Sequence, residues 1–129
     1  MLGKTFKTLA LGLALAATGA AHAADDYPNR PITLIIPVAA GGTTDIAGRA
    51  LANQLKDELG QTVVVENRPG ASGGIANAQV ARAKPDGYTL VLSYEGFHTG
   101  NPVLMDNLTW DPVKDFTPIA EVIRGPHLM

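Results

Sequence analysis

A chain of 129 residues, 46% hydrophobic and 5% aromatic, has the length and composition of one ordinary globular domain. Ten basic residues stand against twelve acidic ones with no basic stretch, which excludes a nucleic-acid partner. The absence of cysteine excludes both a disulfide framework and thiol chemistry.

The first 23 residues have the layout of a secretory signal peptide. Lys4 and Lys7 give a basic start, Leu9 to Ala17 is apolar, and Ala21-His22-Ala23 is a small-x-small cleavage site. The apolar run is short for a membrane span. Cleavage after Ala23 removes two of the ten basic residues and none of the twelve acids, leaving a formal charge of −4. The expected destination is the periplasm.

Tyr27 to Pro31 is a proline-bracketed lead-in to an apolar run, Ile32 to Ile36, of the kind expected for a strand buried on both faces of a parallel sheet. A Gly41-Gly42 turn follows. From Asp45 to Leu59 the positions Ile46, Ala50, Leu51, Leu55 and Leu59 recur at helical spacing, with Thr44 or Asp45 as cap and Gly60 as stop. Thr62 to Val65 reads as a second strand, Asn67 to Gly74 as a loop, and Ile75 to Ala83 as a second helix. Pro85-Asp86-Gly87 is a tight turn, and Tyr88 to Ser93 a third strand. Asn101-Pro102, Trp110-Asp111-Pro112 and Asp115-Phe116 read as short helical or turn structure, and Pro118 to Ile123 is a fourth apolar run. The alternation of strand and helix with short connections predicts an α/β fold on a parallel sheet.

In such a sheet ligands sit beyond the carboxyl ends of the strands. Three loops fall there, Val38–Asp45, Asn67–Gly74 and Tyr94–Thr99, all rich in Gly, Ser or Thr. A Gly-Gly turn opening a helix points backbone N–H groups and the positive end of the helix dipole at one spot, and binds anions without a lysine or arginine. The first loop lacks the spacing of a dinucleotide site and the Gly-Lys-Ser/Thr of a P-loop. The second also opens onto a helix and offers the Ser72 hydroxyl, while Arg68 reads as half of a structural ion pair with Glu66 or Asp86. Glu95 and His98 in the third loop fall short of a metal signature, and no nucleophile, base and orienter occur together, so catalysis is not expected.

The wording of these motifs resembles one family. Tyr27-Pro28-Asn29-Arg30-Pro31-Ile32 leads into Pro37 to Arg49; Val63 to Ala71, Pro85 to Leu90, Asn101-Pro102 and Asp111 to Phe116 follow in order. Together they resemble the Bug family, the TctC-type substrate-binding proteins of tripartite tricarboxylate transporters, from Tyr27 to about Val122. The resemblance implies a type 2 periplasmic-binding-protein (Venus-flytrap) fold of two lobes. Its function would be to capture small organic anions, di- and tricarboxylates or acidic amino acids, and to pass them to a membrane permease. No cofactor or metal is implied. The ligand-binding positions it implies are Ala40, Gly41, Gly42, Thr43, Thr44, Asp45, Ser72, Gly73, Gly74 and Ser93. Asp45 is expected to order water or cap its helix rather than touch a carboxylate. Glu95 stands where the family has small or hydroxyl residues. The alternative functions are a small α/β enzyme such as a hydrolase, or a truncated piece without binding. Residues 24–129 amount to about a third of such a receptor, so the expectation is an incomplete first lobe without the second.

Overall fold

The structure, a computed structural model, describes residues 26–124. The expected signal peptide and its cleavage site lie outside the described residues.

Strand β1 (Ile32–Ile36) is the spine of the fold. Ile32, Leu34, Ile35 and Ile36 are all buried, each contributing about 1.5–3 kcal/mol through burial. β2 (Val63–Asn67) pairs parallel along one edge of β1, from Ile32↔Val63 to Ile36↔Asn67. β3 (Thr89–Val91) pairs parallel along the other edge, from Thr33↔Thr89 to Ile35↔Val91, giving the order β2-β1-β3. The flanking backbone extends both ladders, with the Ile32 amide donating to Thr62 and the Thr33 amide to Tyr88. The expected parallel α/β architecture is therefore the one observed.

Helix α1 (Thr43–Leu59) joins β1 to β2 and packs on both; helix α2 (Gly74–Ala81) joins β2 to β3 and packs on β3 and β1. The β1-to-β2 connection and the β2-to-β3 connection, which passes over β1, step in opposite directions across the sheet, and the right-handed rule for parallel strands then assigns the two helices to opposite faces. Gly60 ends α1 as expected. It adopts φ 65°, and its amide donates to the Lys56 carbonyl at 3.0 Å.

Two expectations about α1 are corrected. The N-cap is Gly42, not Thr44 or Asp45, because the helix begins two residues earlier than the hydrophobic pattern suggests. The buried stripe is Asp45, Gly48 and Ala52, whereas Ile46 is 65% exposed and Ala50 and Leu59 face outward. The reason is steric. A Cβ on Gly48 would lie 2.4 Å from Ile36 Cδ1 and 3.1 Å from Leu92 Cδ2, so the helix seats against the sheet only through small residues.

The lead-in is fastened to the amino-terminal end of the sheet. Tyr27 and Tyr88 meet edge to face at 5.1 Å, and the Tyr27 hydroxyl donates to the Gly87 carbonyl. Arg30 lies 3.8 Å over the Tyr88 ring and pairs with Asp86 at 2.9 Å. After β3 the chain makes a wide helical turn, Gly96–Gly100, that runs into a one-turn helix α3 (Asn101–Leu104). His98, Trp110 and Phe116 then stack mutually edge to face, with centroids 5.1–5.6 Å apart. The apolar run Pro118 to Ile123 has no regular structure, and Ile119, Val122 and Ile123 are exposed. Among the described residues no helix is long and apolar enough to cross a membrane.

Replacing Gly48 by Val should lower stability by about 1–3 kcal/mol, the range for overpacking a filled core. For a domain of this size each kcal/mol is roughly 4–8 °C in a thermal melt. A melting point unchanged from the parent would show that α1 does not seat on β1 as described.

Candidate functional site

Strand order reverses at β1, and in an open α/β sheet the ligand crevice lies at such a switch, beyond the carboxyl ends. All three predicted loops leave the sheet at that end, and the structure ties them together. The Arg68 amide donates to the Ile36 carbonyl at 2.8 Å and the Leu92 amide to the Ile35 carbonyl at 3.0 Å, so the second and third loops start on either side of the first.

The first loop turns on Gly41, whose φ of 90° belongs to the left-handed region that glycine tolerates. Ala40, Gly41, Gly42 and Thr43 are exposed, Thr44 is half-buried and Asp45 is buried. Asp45 is the centre of a network. Its Oδ2 accepts the Gly41 amide at 2.9 Å and Arg49 Nε at 3.1 Å, and its Oδ1 accepts Asn67 Nδ2 at 2.9 Å. Asn67 Nδ2 also reaches the Val38 carbonyl, and Arg49 donates to Asn67 Oδ1 at 3.0 Å. The carboxylate reaches back from the third position of α1 to the residue before the N-cap, a variant of the capping box. The Arg49 guanidinium first, then the Gly41 amide and the Asn67 side chain, hold its pKa down from 3.8 to about 2 against the opposing effect of burial.

This network decides what remains for a ligand. The Gly41 amide is occupied by Asp45, and Arg49 is occupied by Asp45 and Asn67. The first-turn amides of α1 have no acceptor within the helix, and no N-cap side chain closes them. They face the exposed Gly42-Thr43 surface with the positive end of a 17-residue helix behind them.

The second loop is a left-handed turn. Gly70, Ala71, Ser72 and Gly73 have φ of 120°, 46°, 48° and 78° in succession, and the Gly73 amide donates back to the Gly70 carbonyl. Ala71 and Ser72 each cost roughly 1–2 kcal/mol in that conformation. Three contacts hold it. Asn101 Nδ2 donates to the Ser72 carbonyl at 2.8 Å, Asn77 Nδ2 donates to the Gly73 carbonyl at 3.1 Å, and the Phe97 ring lies where a Gly73 Cβ would be. Ser72 is exposed, Gly73 is buried under Phe97, and Gly74 is half-buried with its amide spent on the Ala71 carbonyl. Arg68 pairs with Glu66 at 3.0 Å, the first of its two expected partners.

Ser93 follows β3 and is half-buried, its Oγ shielded from solvent and without a hydrogen-bond partner. His98 belongs to the aromatic cluster with Trp110 and Phe116. No group of three or more metal-ligating side chains occurs among the described residues.

Two hollows flank the helices. One, of about 560 Å³, separates the outer face of α1 from Val122 and Ile123. The other, of about 360 Å³, runs between α2 and residues 105–110, and Gly74 is the one predicted site residue on its wall. Of the predicted positions, Ala40, Gly41, Gly42, Thr43 and Ser72 are exposed and form an open rim, Thr44, Gly74 and Ser93 are half-buried, and Asp45 and Gly73 are buried. Arg49, Asn67, Asn77, Phe97 and Asn101 are not among the predicted site residues, although all five shape the rim. Only the i,i+4 spacing of Asp45 and Arg49 signalled any of these contacts.

The family model for the tripartite tricarboxylate transporter family receptor, TctC, matches residues 47–129. Among solved structures, the periplasmic binding protein BugD is 49% identical, with a TM-score of 0.68 over 72% of this chain and 31% of its own. Rpa4515 of R. palustris, solved with adipate, is 41% identical, with a TM-score of 0.69 over 71% of this chain and 31% of its own. MatC of Rhodopseudomonas palustris, solved with bound malate, is 40% identical, with a TM-score of 0.68 over 71% and 31%. The chain spans about a third of the length of the curated relatives it matches. It belongs to the TctC receptor family, as the resemblance of its motifs implied, and among the proteins it matches in structure BugD is a periplasmic binding protein.

The Asp45 network should be visible in acid. Its folded pKa lies below its ordinary value, so its contribution to stability is complete above pH 3.8 and is lost as pH falls through about 2. Asp45→Asn should melt below the parent at pH 7, and the gap should close as pH falls from about 4 to 2. A gap of constant size across that range would show that the charge of Asp45 plays no part.

Proposed function

We propose that this chain forms the first ligand-binding lobe of a periplasmic receptor that captures small organic anions, di- or tricarboxylates or related acids, for a tripartite tricarboxylate transporter. The permease of that transporter is the partner to which the ligand is passed. The observation that carries the reading is the exposed N-terminus of α1, where first-turn amides are presented at the switch point of the sheet beside Gly41, Gly42, Thr43 and Thr44. Membership of the TctC family supports it, as do the adipate and malate found with two proteins of the same fold.

The cations nearest the rim, Arg49 and Arg68, are held in internal ion pairs, so backbone N–H groups and the Thr43, Thr44 and Ser72 hydroxyls remain to meet a carboxylate. Among the described residues Ser93 Oγ has no hydrogen-bond partner and so no base beside it, which supports a binding role rather than a hydrolytic one.

The N-terminal segment through Ala23 is proposed to direct export. Sequencing the protein recovered from the periplasm should give Ala24 as the first residue; a start at Met1 would overturn export by cleavage. A thermal-shift series with malate, succinate and adipate should raise the melting point of the purified chain. At a hundred times the dissociation constant the gain is about 2.7 kcal/mol. The neutral diamides of the same acids should have no effect. A melting point unmoved by every acid at millimolar concentration would refute binding by this chain.

A further inference from the structure

Two side chains from different elements grip the second loop at consecutive carbonyls. Asn77, fully buried on α2, donates to the Gly73 carbonyl at 3.1 Å. Asn101, 6% exposed, donates to the Ser72 carbonyl at 2.8 Å from 29 residues away. The first bond is local to the helix that the loop opens. The second joins two loops, and the chain around Asn101 holds its backbone from both sides. The Asn101 amide donates to the Gly96 carbonyl and closes the wide Gly96–Gly100 turn, while its carbonyl accepts the Met105 amide at the end of α3. Phe97, in the same wide turn, fills the space that a Gly73 Cβ would need.

The group this grip controls is the Ser72 side chain. Ser72 is exposed and lies at φ 48°, ψ 45°, directly after Ala71 at φ 46°. Neither residue favours the left-handed region. A serine that leaves it rotates its carbonyl and its Cβ together, so the direction of the hydroxyl depends on what holds the carbonyl.

We propose that Asn101 is a positioning residue for the ligand: by holding the Ser72 carbonyl it keeps Ser72 left-handed, and so sets the direction in which the Ser72 hydroxyl meets a ligand carboxylate. The inference rests on the receptor reading above. It gives the third loop a part in binding that requires no contact with the ligand, which is to hold the second loop in place.

The test is isothermal titration of the full chain with whichever of malate, succinate and adipate raises its melting point most. Asn101→Ala, Ser72→Ala and the double variant form the cycle. Each single substitution should weaken binding about fivefold, the worth of one hydrogen bond. The double variant should bind no more weakly than either single one, because both remove the same contact. Adding Ala71→Gly to Asn101→Ala should recover part of the lost affinity, since glycine adopts the left-handed conformation freely. Should Asn101→Ala alone not fold, the same cycle in the Ala71→Gly chain carries the same expectation of non-additive losses. Losses that multiply in the double variant would overturn the proposal. So would an affinity unchanged by Asn101→Ala or by Ser72→Ala. Each of those results leaves the receptor reading intact, because the parent still binds. Binding of no acid in the thermal-shift series would overturn the receptor reading and this inference with it.

Discussion

One buried carboxylate fixes the geometry on which the rest of the rim depends. Asp45 takes one donor from the loop after β1, one from α1 and one from the end of β2. Exposed ion pairs contribute little, but a carboxylate removed from water requires its partners, because an unpaired charge there is strongly destabilising. The three elements are therefore held at one point. The first turn of α1, which begins only two residues before Asp45, cannot rotate away from the sheet without exposing or orphaning that charge. Close seating of the same helix through Gly48 and Ala52 fixes its other coordinate.

A similar division of labour governs the second loop. The left-handed run from Gly70 to Gly73 is unfavourable in itself at Ala71 and Ser72, and persists because Asn77, Asn101 and Phe97 close around it. Most polar groups near the rim are spent on holding its shape. The Gly41, Gly73 and Gly74 amides, the Arg49 and Arg68 guanidiniums and the Asn67 amide all have partners inside the chain. The chemistry offered outward is correspondingly simple, a few backbone amides and hydroxyls on a rigid frame.

Much of that frame is legible in the sequence, because its signals are local. The apolar run of β1, the stop at Gly60 and the Pro85-Asp86-Gly87 turn each report on their own neighbourhood, and their order is enough to require a parallel sheet. The buried face of α1 is not legible in this way. A hydrophobic pattern weights Ile46 and Leu59, whereas the sheet selects the residues small enough to touch it. The role of Asn67 is hidden for a different reason, since its partners Val38 and Asp45 are 29 and 22 residues away. The i,i+4 spacing of Asp45 and Arg49 is visible, but spacing alone does not distinguish a solvent-facing pair from one whose carboxylate is 3% exposed.

Recognition through backbone amides, as proposed, has a consequence for selectivity. Amides at a helix terminus complement any carboxylate, so they supply affinity for a class of ligand without distinguishing its members. Adipate and malate, found with two relatives of the same fold, are both dicarboxylates but differ in length and in a hydroxyl group. Discrimination must then come from groups that the frame leaves unpaired and that vary in charge. On the proposed reading, the buried carboxylate at the root of the rim sets where a ligand's acid group is held.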